Sequence, residues 1–204
     1  MDHPSTSLRA GSRHEVSRRV LLAGYSLVGK VAPQHRVQDS RYNGGVPFVI
    51  RDFRPEDFET LWRIDQECFA PGISYSRPEL KFYIRRRGAF TLVAEASEDL
   101  AAKAAVSAIA GFIVTQTGRT GHVITIDVLA GARRSGMGSL LLQAVEDHLR
   151  AAGSKAVGLE TAVDNLAALA FYKRHGYSVI ETMPRYYSNG VDALRMKKDL
   201  LPVP

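Results

Sequence analysis

Four groups of residues have types and spacing that could do chemistry. Arg133-Arg134-Ser135-Gly136-Met137-Gly138 ends at a helical pattern that starts with Ser139. Two glycines one residue apart strip side chains from a turn, so successive backbone N–H groups can converge on an anion at a helix N-terminus; a diphosphate is the expected guest. The plainer reading is a tight strand-to-helix turn with glycines for packing. Leu141 stands where the dinucleotide fingerprint needs a third glycine, and no Gly-Lys-Ser/Thr follows, so neither a Rossmann fingerprint nor a P-loop is present. Further on stand Glu160 in Gly158-Leu159-Glu160-Thr161, then Asn165, then Tyr172 in Phe171-Tyr172-Lys173-Arg174-His175-Gly176-Tyr177. A carboxylate at the carboxyl end of a central strand, beside an anion site, is where open α/β sheets place ligand chemistry.

The elements that must position these residues follow from periodicity. Val46 to Ile50 reads as a strand, and Pro55, Glu56 and Asp57 open a helix with Phe58, Leu61, Trp62, Asp65 and Phe69 at helical spacing; Pro71-Gly72 ends it. Arg77-Pro78 begins a second helix that runs through Arg87 and stops at Gly88. Strands are expected at 90–94, 105–115 and 122–129, with 95–104 as a surface loop. An amphipathic helix follows at 139–149, then a strand at 155–161 and a helix from Asp164 or Asn165 to about His175 with Gly176 at its C-terminal end. Residues 177–182 and 191–197 close the chain as an antiparallel pair. That order predicts a mixed α/β fold with one parallel crossover in the middle.

Composition limits the alternatives. With 45% hydrophobic and 24% charged residues over 204 positions, the chain is an ordinary globular protein of about one domain, neither collagen-like nor a disulfide scaffold. Cys68 is the lone cysteine and reads as a small buried side chain; the histidines are scattered, so no metal site is expected and a reducing cytosol is the natural setting. No apolar stretch approaches the ~18 residues that span a bilayer. The net charge of +6 belongs mostly to residues 1–45, which carry seven basic and three acidic groups against 20 and 18 in residues 46–204, so nucleic acid is expected at most weakly, through this arm. The arm reads as disordered. Within it Arg18-Arg19 and residues 20–28 have the outline of a short signal peptide, with a floppy extension as the blander reading.

The set Ile126-Asp127-Val128, Arg133-x-x-Gly136-x-Gly138, Leu159-Glu160, Asn165 and Phe171-Tyr172-x-x-x-Gly176-Tyr177 resembles the GNAT acyl-CoA-dependent N-acetyltransferase superfamily, and within it the RimI-type ribosomal-protein N-terminal acetyltransferases. The resemblance covers roughly residues 47–199. It implies a central, mostly antiparallel sheet of about seven strands with flanking helices and the parallel crossover at the coenzyme site. It implies acetyl-CoA as co-substrate, held by Ile126, Asp127, Val128, Arg133, Arg134, Ser135, Gly136, Met137, Gly138, Ser139 and Asn165, with the Val128 backbone N–H polarising the thioester carbonyl. By the same resemblance Glu160 is the general base, directly or through water, and Tyr172 the acid that protonates the departing sulfur. Tyr186-Tyr187 resembles the aromatic pair that walls the peptide entrance. Tyr75, in the loop after the first helix, stands where the family tends to have Trp, and 95–104 is longer than usual, so the acceptor is the open point. The expected acceptor is a protein N-terminus, such as a ribosomal protein's, with a small-molecule amine or a non-catalytic acyl-CoA sensor as alternatives.

Overall fold

The computed structural model describes residues 48–69, 73–96, 109–187 and 189–200. The basic arm and most of the 95–104 connection lie outside them. Strand β1 (Phe48–Asp52) leads through a 3-10 turn at Pro55–Asp57 into helix α1 (Phe58–Cys68), followed by α2 (Arg77–Arg85), β2 (Ala89–Ala96), β3 (Ile109–Gln116) and β4 (Thr120–Val128). A second 3-10 turn at Ala130–Ala132 precedes α3 (Met137–Ala151), β5 (Ala156–Ala162), α4 (Leu166–Arg174), β6 (Ser178–Met183) and β7 (Ala193–Asp199). The strands form one sheet in the order β1-β2-β3-β4-β5-β7-β6, antiparallel throughout except for β4 with β5.

Two apolar layers hold the sheet between helices. On one face Met137, Leu141, Leu142, Val145 and Leu149, the buried stripe of α3, pack against Ile113, Val123, Val157, Leu159 and Met196. These spacings of three and four residues are what one helix face requires. Gly121 allows the close approach: a Cβ there would stand 2.5 Å from a Leu149 methyl. On the other face Leu61, Ile64 and Leu80 of α1 and α2 pack on Val93, Phe112 and Val114. A bulge between Val114 and Thr115 of β3 leaves Ile124 of β4 outside the pairing, so Val123, Ile126 and Val128 serve the α3 face while Ile124 and Asp127 serve the α1 face.

Element boundaries moved where tertiary partners extend or cut a local pattern. The first strand runs to Asp52, because Arg51 binds Asp57 at 2.7 Å and Glu95 at 2.5 Å; the same bond keeps Glu95 in β2, where a loop was expected. The single helix expected from Pro55 is a 3-10 turn followed by α1, with Asp57 Oδ2 accepting from the Arg54 N–H at 2.7 Å. Tyr177 was expected in a strand; it is buried instead, its N–H closing α4 on the Tyr172 carbonyl at 3.0 Å. No helix among the described residues is long and apolar enough to cross a membrane.

Candidate active site

The parallel strands β4 and β5 pair only over Thr120 to His122 and Ala156 to Gly158, yet both continue, to Val128 and Ala162. Past that point they part, leaving a cleft in mid-sheet. Strand N–H groups alternate in direction, and the Leu129 N–H donates to the Ala110 carbonyl at 3.0 Å, so the Val128 N–H points away from β3 and into the cleft. The Val128 carbonyl accepts from Arg133 Nε at 2.9 Å and from Cys68 Sγ at 3.4 Å, which steadies the Val128–Leu129 peptide from the side opposite β3. The side chains of Ile126 and Val128 pack on the α3 core, so this stretch offers the cleft its backbone.

Asp127 turns to the α1 face and is 1% exposed. Its Oδ2 accepts from the Thr125 hydroxyl at 2.8 Å, and its Oδ1 has no hydrogen-bond partner among the described residues. Burial pushes this carboxyl well above the usual range against the pull of Thr125, and the nearby Asp65 carboxylate pushes the same way.

The turn ahead of α3 has the shape of an anion cradle. Arg134 (φ 62°) and Gly136 (φ 88°) are both left-handed on either side of Ser135, and α3 begins at Met137. Alternating handedness makes successive N–H groups converge, and the first-turn N–H groups of a helix have no partner within it. The arrangement fits the diphosphate of acetyl-CoA: Gly136 sustains the left-handed backbone, and Met137, Gly138 and Ser139 present first-turn N–H groups. Ser135 is tied down by its own hydroxyl, which donates to the Ala132 carbonyl at 2.7 Å. Ser139 is tied across the fold. His175 Nδ1 lies 2.8 Å from the Phe171 carbonyl and must carry the hydrogen there, so Nε2 is left to accept from the Ser139 hydroxyl at 3.0 Å. Sequence reasoning assigned His175 nothing, since a contact across 36 residues has no local signature. Asn165 caps α4, its side-chain oxygen accepting from the Ala168 N–H at 3.1 Å, and it is exposed.

The acid and base candidates lie on β5 and α4. Tyr172 is 6% exposed, with Phe171 edge-on at 5.2 Å and Tyr177 tilted at 5.6 Å. Burial, reinforced by the charges of Asp127 and Tyr187, pushes its hydroxyl far above the ordinary tyrosine value, so it stays protonated. The Glu160 side chain is 7% exposed; its Oε1 accepts from Arg195 Nε at 3.0 Å and its Oε2 from His122 Nε2 at 2.6 Å. Burial alone would raise this carboxyl, but hydrogen bonds and charge from His122 and then Arg195 hold it below the usual range. Glu160 is therefore an ionised partner already engaged on both oxygens. An ionised carboxylate only accepts, so Nε2 of His122 carries the hydrogen of this bond and Nδ1 is the ring nitrogen that Glu160 leaves unbound. His122 was missed in the sequence. The signal was its parallel register: His122 pairs with Gly158, which sets Glu160, two residues on, on the same face.

Of the three expected acceptor-side tyrosines, Tyr75 packs on the α1 face. The Tyr75 N–H donates to Asp65 Oδ2 at 2.7 Å, and its carbonyl accepts from Gln66 at 2.8 Å and Trp62 at 3.2 Å, pinning the loop to α1. Its hydroxyl reaches the Ile124 carbonyl of β4 at 3.5 Å. Tyr186 and Tyr187 stand perpendicular at 5.1 Å between β6 and β7. Tyr187 comes within electrostatic reach of Tyr172.

Comparison with known proteins identifies the family. Residues 58–177 match the Acetyltransferase (GNAT) family, and the chain belongs to that family, with which it is classed as an acetyl-CoA-dependent acyltransferase. An uncharacterised N-acetyltransferase of Methanocaldococcus jannaschii is 30% identical over 152 residues, 74% of this chain and 90% of that protein. N-alpha-acetyltransferase 30 of Schizosaccharomyces pombe is 37% identical over 75 residues, 37% of this chain; the match spans 50% of that relative's length. Among solved structures, Ard1 from Thermoplasma volcanium superposes with a TM-score of 0.66 at 27% identity, covering 76% of this chain and 98% of that one. The Escherichia coli ribosomal-protein-S18-alanine N-acetyltransferase shares the fold, with a TM-score of 0.65 at 21% identity over 77% of this chain and 96% of its own.

Proposed function

We propose that the protein transfers the acetyl group of acetyl-CoA to the α-amino group of a protein N-terminus, with the His122–Glu160 pair as base and Tyr172 as acid. The observation that carries this reading is a histidine bonded to an ionised carboxylate across the β4/β5 pair, with a buried, protonated tyrosine on the helix that follows β5. Acetyl-CoA would supply the activated acyl thioester, its diphosphate held at residues 134–139 and its pantetheine side meeting the β4 backbone. Glu160 keeps the hydrogen of His122 on Nε2, so Nδ1 takes the proton from the acceptor amine. The Val128 N–H donates to the thioester carbonyl oxygen. The Tyr172 hydroxyl delivers a proton to the departing sulfur.

An α-amine near pKa ~8 asks less of such a base than a lysine near ~10.4. The perpendicular Tyr186 and Tyr187 and the pinned Tyr75 loop suit an extended chain end, and the named function of several relatives is N-alpha acetylation. A ribosomal protein would be one acceptor of this class. The test is a thiol-release assay with acetyl-CoA against N-terminal peptides, lysine peptides and small amines. Turnover confined to peptides with a free N-terminus is expected; turnover confined to polyamines or other small amines overturns the assignment of acceptor.

A further inference from the structure

Arg195 has no part in the mechanism above, yet it holds the Glu160 oxygen that His122 does not. In the β5–β7 register it stands directly opposite Glu160. Its Nε donates to Glu160 Oε1 at 3.0 Å, while its Nη1 pairs with Glu181 of β6. With His122 on Oε2 at 2.6 Å, four successive strands of the sheet, β4, β5, β7 and β6, each contribute one side chain to a single line: His122, Glu160, Arg195, Glu181. The line runs outward, from Glu160 at 7% exposure through Arg195 at 27% to Glu181 at 52%. A guanidinium is planar, and with one nitrogen on each of two carboxylates it has little freedom to turn. A carboxylate gripped at Oε1 by such a group presents Oε2 in one direction.

We propose that Arg195 is a positioning residue of the acyl-transfer site: its grip on Glu160 Oε1 aims Oε2 at His122 Nε2, and Glu181 anchors the guanidinium from the solvent side. The proposal rests on the reading of His122 and Glu160 as the base. It also predicts a change in pH dependence. Among the described residues, His122 and Arg195 are the titratable or charged partners of Glu160, and Glu181 is that of Arg195. Removing the arginine cation stabilises the protonated forms of both Glu160 and His122, so the acid limb of the rate profile moves to higher pH.

The experiment compares pH–rate profiles of the full-length wild type, Arg195→Met, Arg195→Lys, Glu160→Gln and the double variant Glu160→Gln/Arg195→Met, with acetyl-CoA affinity by calorimetry as the control for folding. Arg195→Met is expected to lower kcat roughly 10-fold with acetyl-CoA affinity unchanged, and to shift the acid limb upward. Arg195→Lys keeps the charge, so the limb should stay in place while kcat recovers only in part. In the Glu160→Gln background Arg195→Met should add nothing, because the arginine acts through Glu160. An equal loss in both backgrounds, or an unmoved acid limb, overturns the proposal. Should Arg195→Met fail to fold, the lysine variant decides: reduced kcat with intact affinity supports the positioning role, wild-type kcat overturns it. Wild-type turnover in Glu160→Gln overturns the base assignment itself, whereas an inactive Glu160→Gln beside a wild-type-like Arg195→Met overturns the positioning role alone.

Discussion

Under the proposed function the anion cradle at residues 133–139 and the charged line from His122 to Glu181 both serve the β4/β5 cleft, but they are made by different physics. The cradle is backbone: two left-handed residues and a helix start, all within seven consecutive positions, so its function is carried by conformation. The line is side chains brought together by strand register, with sequence separations of 38, 35 and 14 residues between its successive members. Damage to the cradle should therefore appear as lost affinity for acetyl-CoA, and damage to the line as lost turnover with affinity intact.

The largest effect is expected at the line. Glu160→Gln keeps the shape but removes the anion that holds His122 in its tautomer; turnover should fall by about 10²-fold or more in steady-state assays, with calorimetric acetyl-CoA affinity unchanged. Raising pH should restore part of the loss, because a growing share of the α-amine is then neutral without help. Recovery at no pH would mean that Glu160 does something other than serve proton removal.

At the cradle, Gly136→Val forces a branched side chain onto a φ of 88°, which costs roughly 1–2 kcal/mol in backbone strain alone and also fills the space meant for the diphosphate. Acetyl-CoA affinity should weaken by about 10-fold or more while turnover at saturation is far less affected. An unchanged dissociation constant in the folded variant would remove the cradle from the coenzyme site.

Tyr172 belongs to neither region and should behave like neither. Tyr172→Phe preserves the packing against Phe171 and Tyr177 and deletes only the hydroxyl, so turnover should drop by roughly 10-fold to 10²-fold with little loss of affinity. Raising pH should rescue it less than Glu160→Gln, because the missing proton is delivered rather than removed. Superimposable profiles for the two variants would erase the distinction between acid and base.

The smallest effect concerns stability. The Asp127 carboxyl is raised in the folded state, so the native protein holds a proton that the unfolded chain releases near pH ~4. That contribution to stability is fully present below the unfolded value and is lost as pH rises toward the folded one. Asp127→Asn cannot ionise, and thermal midpoints measured from pH 4 upward should decline less steeply for it than for the wild type. Parallel curves would show that Asp127 titrates as it does in the unfolded chain.

The legibility of the two regions differs in the same way as their construction. The glycine turn, the strand-end Glu160, the capping Asn165 and the Tyr172 helix were readable because each depends on neighbours within one turn or one strand, where residue type dictates backbone shape. The sheet order was partly readable: an α3 crossover between β4 and β5 implies a parallel pair, and tight connections imply antiparallel ones. The partners of Glu160 were not readable. His122 looked like one of six scattered histidines and Arg195 like a charge on a final strand. A shift of one residue in either register would send these side chains to the opposite face. Register is set by the packing of two apolar layers on the sheet, together with the bulge beside Ile124, and no local pattern encodes that. Local sequence was enough to place a glycine turn before a helix and a carboxylate near the end of a strand; packing decided that the carboxylate would stand ionised between a histidine and an arginine.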